Sequence, residues 1–137
     1  MNNDLYIVID KNKRSINSSK QENNKLEDKN IFITQIGTIY DFNNKKLDLK
    51  DIKSLYNKYN TNINNYIDGI YSLIIYDKTI NKVYVYKDYL GSHQNIYYYE
   101  NNNKIVISNK LKKIIKNNKN NWILDTKGIP STMHATR

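Results

Sequence analysis

The chain contains no cysteine. Disulfides, thiolate zinc sites and a cysteine nucleophile are therefore excluded from its 137 residues. Arginine is almost missing too, with only Arg14 and Arg137 present. Bidentate recognition of bases and phosphates relies on the guanidinium fork, so the formal charge of +9 rests almost wholly on lysine point charges. Those lysines are scattered through turns and helix faces, which reads as a solvated basic surface and not as a nucleic-acid arm. No apolar run approaches the roughly 20 residues that span a bilayer. Residues 1–4 carry no signal-peptide pattern, and a soluble cytoplasmic protein with no membrane partner is expected. His93 and His134 lie far apart without other ligand-spaced residues, so no metal site is expected. Internal repeats are absent as well.

What is present is asparagine, lysine, isoleucine and tyrosine. Asparagine alone occurs 24 times, and all four residues share AT-rich codons, a coding bias that accounts for part of the lysine excess. Hydrophobic content of 39% against 26% charged residues lies above the disordered class. A chain of this length is expected to form one domain that buries about two thirds of its extended surface.

The stretch 67–115 organises the rest. Apolar, β-branched and aromatic runs at 67–77, 82–88, 95–99 and 104–108 have strand length and are separated by polar turns. Asp77 and Asn81 bound one turn, and Asn101, Asn102 and Asn103 make another. This spacing predicts a four-stranded antiparallel meander. Residues 110–116 then switch to a helical pattern with Leu111, Ile114 and Ile115 on one face. The predicted core is Ile70, Leu73, Ile74, Ile75, Val83, Val85, Ile105 and Ile107, with Leu111 and Ile115 packing from the helix.

Upstream, residues 4–10 read as a strand and 11–30 as a long polar loop. A second strand at 31–36 ends at Gly37, and 38–42 continues the extended chain. From Asp48 the pattern is helical. Asp48 is placed to cap the first N–H groups, Asp51 lies near the positive end, and Leu49, Ile52, Leu55, Tyr56 and Tyr59 form one stripe. After residue 116 the chain is polar until Trp122, and 126–137 has no periodicity, reading as a linker or the start of a following domain.

The meander resembles the N-terminal class II glutamine amidotransferase domain of the asparagine synthetases, whose relatives include β-lactam synthetases and lasso-peptide cyclases. The family pattern runs roughly L-D-G-x-F/Y-A-F-x-x-W/Y-D, then R-D-x-x-G-x-x-P-L-Y-Y, then A-S-E-x-K-x-L. The first segment is matched by Ile67-Asp68-Gly69-Ile70-Tyr71-Ser72-Leu73 with Tyr76-Asp77. The second is matched by Lys87-Asp88-Tyr89-Leu90-Gly91 with Ile96-Tyr97-Tyr98, with one extra residue and no proline. The third is matched loosely by residues 108–114. Ile36-Gly37-Thr38-Ile39-Tyr40-Asp41 is similar to the family's N-G-E-I-Y-N, and Trp122 to Asp125 sit where the family leaves this domain. The likeness covers about 31–125.

This resemblance implies an α+β fold, a reduced Ntn-hydrolase-like sandwich of antiparallel sheets with flanking helices, over residues 1–125. It also implies that the glutamine site is lost. The family nucleophile is an N-terminal cysteine whose own amino group serves as base, whereas position 2 here is Asn2. The oxyanion-hole asparagine is replaced by Ile36, so Ile36, Gly37 and Thr38 form a vestigial substrate loop. Asp68, Gly69, Asp88 and Gly91 remain as structural motif residues. The expectation is a non-hydrolytic domain with no cofactor of its own. It would dock an ATP-dependent, amide-forming synthetase domain that carries ATP and Mg²⁺, in cis beyond residue 137 or in trans. The alternatives are a pocket that still holds glutamine or another small amide, and a basic module that binds nucleic acid or an acidic partner through tyrosine-bearing strands.

Overall fold

The computed structural model describes residues 5–18, 25–88, 95–110, 112, 114 and 133–136. In chain order the elements are β1 (Tyr6–Asp10), β2 (Ser15–Ser18), β3 (Lys25–Glu27), β4 (Ile31–Tyr40) and helix α1 (Leu49–Tyr59). A 3₁₀ turn at Asn60–Asn65 follows, then β5 (Asp68–Asp77), β6 (Lys82–Lys87), β7 (Tyr97–Glu100), β8 (Lys104–Ser108) and β9 (Met133–Thr136). The strands form two sheets, ordered β2-β1-β8-β7 and β3-β4-β5-β6-β9. Every pairing is antiparallel except β6 with β9, which is parallel. The class is α+β. The chain divides into two units, Met1–Gln21 with Gln94–Ile129, and Glu22–His93 with Pro130–Arg137.

In the second unit, β4 and β5 pair along ten residues without a bulge, from Ile31 opposite Asp77 to Tyr40 opposite Asp68. Their odd-numbered side chains, among them Ile33, Ile39, Leu73 and Ile75, share one core with Ile52 and Tyr56 of α1. The even-numbered side chains Phe32, Ile74 and Tyr76 are buried too. Burial on both faces explains why these runs read as continuous apolar stretches and not as strict alternation. The helix begins as its sequence predicts. Asp48 accepts from the Asp51 N–H at 2.9 Å and Asp51 returns the bond to the Asp48 N–H at 3.0 Å, a reciprocal capping box. Ile52 and Tyr56 lie in the core, and Leu49, Leu55 and Tyr59 pack against it. The Tyr56 hydroxyl donates to Asp77 at 2.9 Å, tying the helix to the far end of β5.

Two glycines let β4 and β5 close over their other end. Gly37 and Gly69 adopt φ values of 90° and 123°, in the region that side chains other than glycine rarely enter. A Cβ on Gly37 would run into the Ile70 carbonyl oxygen, and one on Gly69 into the Thr38 carbonyl oxygen. The two strands thus approach reciprocally, each glycine facing the other strand's backbone.

In the first unit, β1 lies between β2 and β8, with Tyr6 opposite Ser108 and Asp10 opposite Lys104. Lys11 closes that end by donating to Glu100 at 2.8 Å and to the Asn101 carbonyl at 2.9 Å, in a largely buried ion pair. Ile7, Ile9, Tyr98, Ile105 and Ile107 are fully buried, and Tyr99, Val106 and Ile114 form a cluster with Tyr6, Val8 and Tyr97 against it.

The connections are built by side chains of Asp and Asn. Asp10 accepts from the N–H groups of Asn12 and Lys13, Asp28 from Asn30 and Ile31, and Asp41 from Asn43 and Lys45. Asp77 accepts from Thr79, and Asn101 from Asn103 and Lys104. Asn44, Asn60 and Asn81 take positive φ, which asparagine tolerates better than most residues.

Several expectations are corrected. The four central strands are not one meander: β5 and β6 form a hairpin in the five-stranded sheet, β7 and β8 one in the four-stranded sheet. Their second neighbours, β4 and β1, are distant in sequence, so local spacing carried no information about them. Within 11–30, read as a loop, β2 and β3 each pair with a longer strand, using mostly polar residues whose backbone bonds need no apolar period. The break expected at Gly37 is absent, because glycine absorbs the unusual φ while β4 continues. Within 126–137, read as a linker or the start of a following domain, Met133–Thr136 is instead a strand on the edge of β6. Ile70, expected in the core, is 58% exposed, whereas Leu73, Ile74, Ile75, Val83, Val85, Ile105 and Ile107 are buried. Of the expected helix at 110–116, Lys112 and Ile114 are helical; Leu111, Ile115 and Trp122 lie outside the described residues.

Two substitutions test this packing by urea denaturation. Leu73→Ala should cost about 2–5 kcal/mol, and a loss under about half a kcal/mol would mean that the β4–β5 ladder is not the core. Gly37→Ala should cost about 1–3 kcal/mol or more from the strained φ and the overlap with Ile70; a neutral outcome would refute the close approach.

Candidate functional site

The residues singled out by sequence converge on the glycine end of β4 and β5. Ile36, Gly37 and Thr38 lie inside β4, not in a loop, and pair with Ser72, Tyr71 and Ile70. One step further along the ladder, Ile39 and Tyr40 stand opposite Gly69 and Asp68. Gly37 and Thr38 are therefore adjacent in space to the Asp68-Gly69 pair, held there by the reciprocal glycine contact. The Gln35 carboxamide donates to the Gly37 carbonyl at 3.3 Å and steadies the turn in backbone direction.

Asp88 joins the same cluster from the end of β6. It is 3% exposed. Its N–H donates to the Tyr71 carbonyl at 3.2 Å, and its carboxylate accepts from the Tyr71 N–H at 3.4 Å. That two-way bond clamps the exit of β6 to β5, which is a structural role. Gly91 lies outside the described residues.

The chemistry on the even-numbered face is sparse. Ile36 is 3% exposed and offers a branched alkyl group with no hydrogen-bond donor. Ser72, its partner across the ladder, is 1% exposed, and its hydroxyl has no hydrogen-bond partner among the described residues. Little in the sequence pointed to Ser72, beyond a hydroxyl standing where the resembled pattern has alanine. Among the described residues no group of three His, Cys, Asp or Glu side chains is placed to hold a metal ion.

The glycine end also carries a feature that sequence reading missed. A groove of about 350 Å³ opens beside Gly69, lined by Phe42, Asn64, Asn65, Ile67, Asp68 and Tyr71 as well as that glycine. Asp68 is exposed, and one of its carboxylate oxygens accepts from the Gly69 N–H at 2.8 Å. Tyr71 is 97% buried, and its phenol is pushed up to about 12, first by burial and then by the negative charges of Asp88 and Asp68. It is a neutral hydroxyl at physiological pH. The groove draws on three separate segments, 42, 64–69 and 71, so no single motif announced it.

The family comparison agrees with this architecture. A family model described as a glutamine amidotransferase domain matches residues 15–137, nearly the whole chain, including β9. No curated protein and no solved structure matches the chain. The match spans the β4–β5 ladder, both glycines, Asp68 and Asp88, and on that extent the chain belongs to the glutamine amidotransferase domain family.

Proposed function

We propose that this chain is a non-hydrolytic member of its family, an Ntn-hydrolase-like scaffold that docks and stabilises the ATP-dependent synthetase domain of an asparagine-synthetase-type, amide-forming enzyme. The observation that carries the reading is Ile36: a buried alkyl side chain occupies the position at which the resembled pattern places its oxyanion donor. The chain also supplies no thiol. Acyl transfer from glutamine needs a nucleophile and a stabilised oxyanion, and these residues provide neither. The carboxylate-activating chemistry, with ATP and Mg²⁺, belongs to the partner.

The scaffold itself is well formed around the altered site, which favours a role in contact over a role in chemistry. Four of the five exposed large hydrophobics among the described residues, Tyr40, Phe42, Tyr66 and Ile70, stand at the glycine end of the five-stranded sheet. A patch of this kind suits a protein interface. A nucleic-acid module would need tyrosine faces open to bases, yet Tyr71, Tyr76, Tyr84, Tyr86 and Tyr98 are buried, and of the described tyrosines Tyr40 and Tyr66 alone are exposed.

The purified chain should release no ammonia from glutamine above background. Asn2→Cys should not restore release, because Ile36 still lacks a donor. Ammonia production that a substitution in this chain abolishes would overturn the proposal. The docking half has its own test: a cognate synthetase domain should be retained by the immobilised chain, and Ile70→Ser, an exposed change, should reduce retention. Equal retention by both forms would remove this surface from the interface, and none by either would refute docking.

A further inference from the structure

We propose that the groove beside Gly69 is a binding site for a guanidinium group, independent of whether the domain docks a synthetase. Three features of one groove carry this. Asp68 presents a carboxylate whose orientation is set by the bond from the Gly69 N–H at 2.8 Å to Oδ1, and Oδ2 has no hydrogen-bond partner among the described residues. Tyr71 lines the same groove at 3% exposure, and its hydroxyl has no hydrogen-bond partner among the described residues. Phe42 completes the lining with a ring that is 65% exposed.

These groups suit a planar cation better than a spherical one. A guanidinium donates edge-on to a carboxylate and a second acceptor while its flat face lies on an aromatic ring. Asp68 supplies the charge, the Tyr71 oxygen and the Asn65 carboxamide supply further acceptors, and Phe42 supplies the face. An ammonium can also sit over the ring, but it has no flat face to lie on it while an edge donates to the carboxylate. The chain's net charge of +9 opposes any cation. Screening over roughly 8–10 Å at physiological salt confines that opposition largely to neighbouring groups, so the short-range contacts decide. The remaining volume, about 350 Å³ in all, accommodates the alkyl stem that bears the group.

The guanidinium has two possible sources, a free small molecule or an arginine side chain of another polypeptide, and the test separates them. Binding to the full chain would be followed by isothermal titration with ethylguanidinium, ethylammonium and a blocked Gly-Arg-Gly peptide. Ethylguanidinium is expected to bind more tightly than ethylammonium. Asp68→Asn keeps an oxygen for the Gly69 N–H and should weaken guanidinium binding by roughly tenfold or more, the usual consequence of losing a charged acceptor. Phe42→Ala, a change at an exposed ring, should weaken ethylguanidinium more than ethylammonium, and Tyr71→Phe should also weaken it. Circular dichroism would show that each variant remains folded. Tighter binding of the peptide than of ethylguanidinium would assign the site to an arginine side chain, and the reverse order to a small molecule. Equal affinity for ethylguanidinium and ethylammonium, no binding of any probe, or unchanged binding by Asp68→Asn and Phe42→Ala would overturn the proposal.

Discussion

The antiparallel ladder between β4 and β5 is the constraint on which the second unit depends. Ten consecutive pairs fix the register of a sheet that is buried on both faces, so a slip of one residue would turn every apolar side chain to the wrong side. At one end the ladder is tied to α1 through Tyr56 and Asp77. At the other it is drawn tight by Gly37 and Gly69, where any Cβ would strike a carbonyl oxygen of the opposite strand. Between these ends lie Leu73 and Ile75, at the centre of the core shared with the helix. The helix cap, the hairpin to β6 and the clamp from Asp88 are all placed by this pair of strands.

A chain with four glycines and one proline has to bend by other means. Carboxylate and carboxamide side chains replace the missing turn residues by accepting backbone N–H groups two to four positions later, at Asp10, Asp28, Asp41, Asp77 and Asn101. Asparagine also occupies three of the four positive-φ positions among the described residues that are not glycine. The abundance of asparagine therefore has a local structural use, whatever coding bias produced it. The two glycines among the described residues, Gly37 and Gly69, stand where a Cβ would strike the opposite strand's backbone.

The parts of the fold legible in sequence were those governed by near neighbours. The helix showed its stripe and its Asp48–Asp51 box, and each hairpin showed its turn. The division of those hairpins between two sheets was not legible, because β8 pairs with β1 across nearly the whole chain. Nor were β2 and β3, whose polar residues join an edge through backbone bonds alone. Ile70 misled for a related reason. Its side chain fits a strand, but it sits near the open end of the ladder opposite Thr38, beyond the reach of the core. Of the site, the motif residues Gly37, Asp68, Gly69 and Asp88 were legible because the resemblance marked them. The groove was not, since Phe42, Asn65 and Tyr71 meet only after folding.

The two faces at the glycine end have separate physical fates. On the even-numbered face, an alkyl group at position 36 is buried directly across from Ser72. A polar carboxamide there would have to find partners in a nearly dry setting, whereas isoleucine fits without them. Isoleucine at this position therefore spares the sheet the cost of burying an unpartnered amide. Beside the groove, the same backbone approach leaves Gly69 bare, and its N–H turns the Asp68 carboxylate. A recess that depends on Gly69 and Tyr71 persists as long as the ladder does, whether or not the opposite face still reacts.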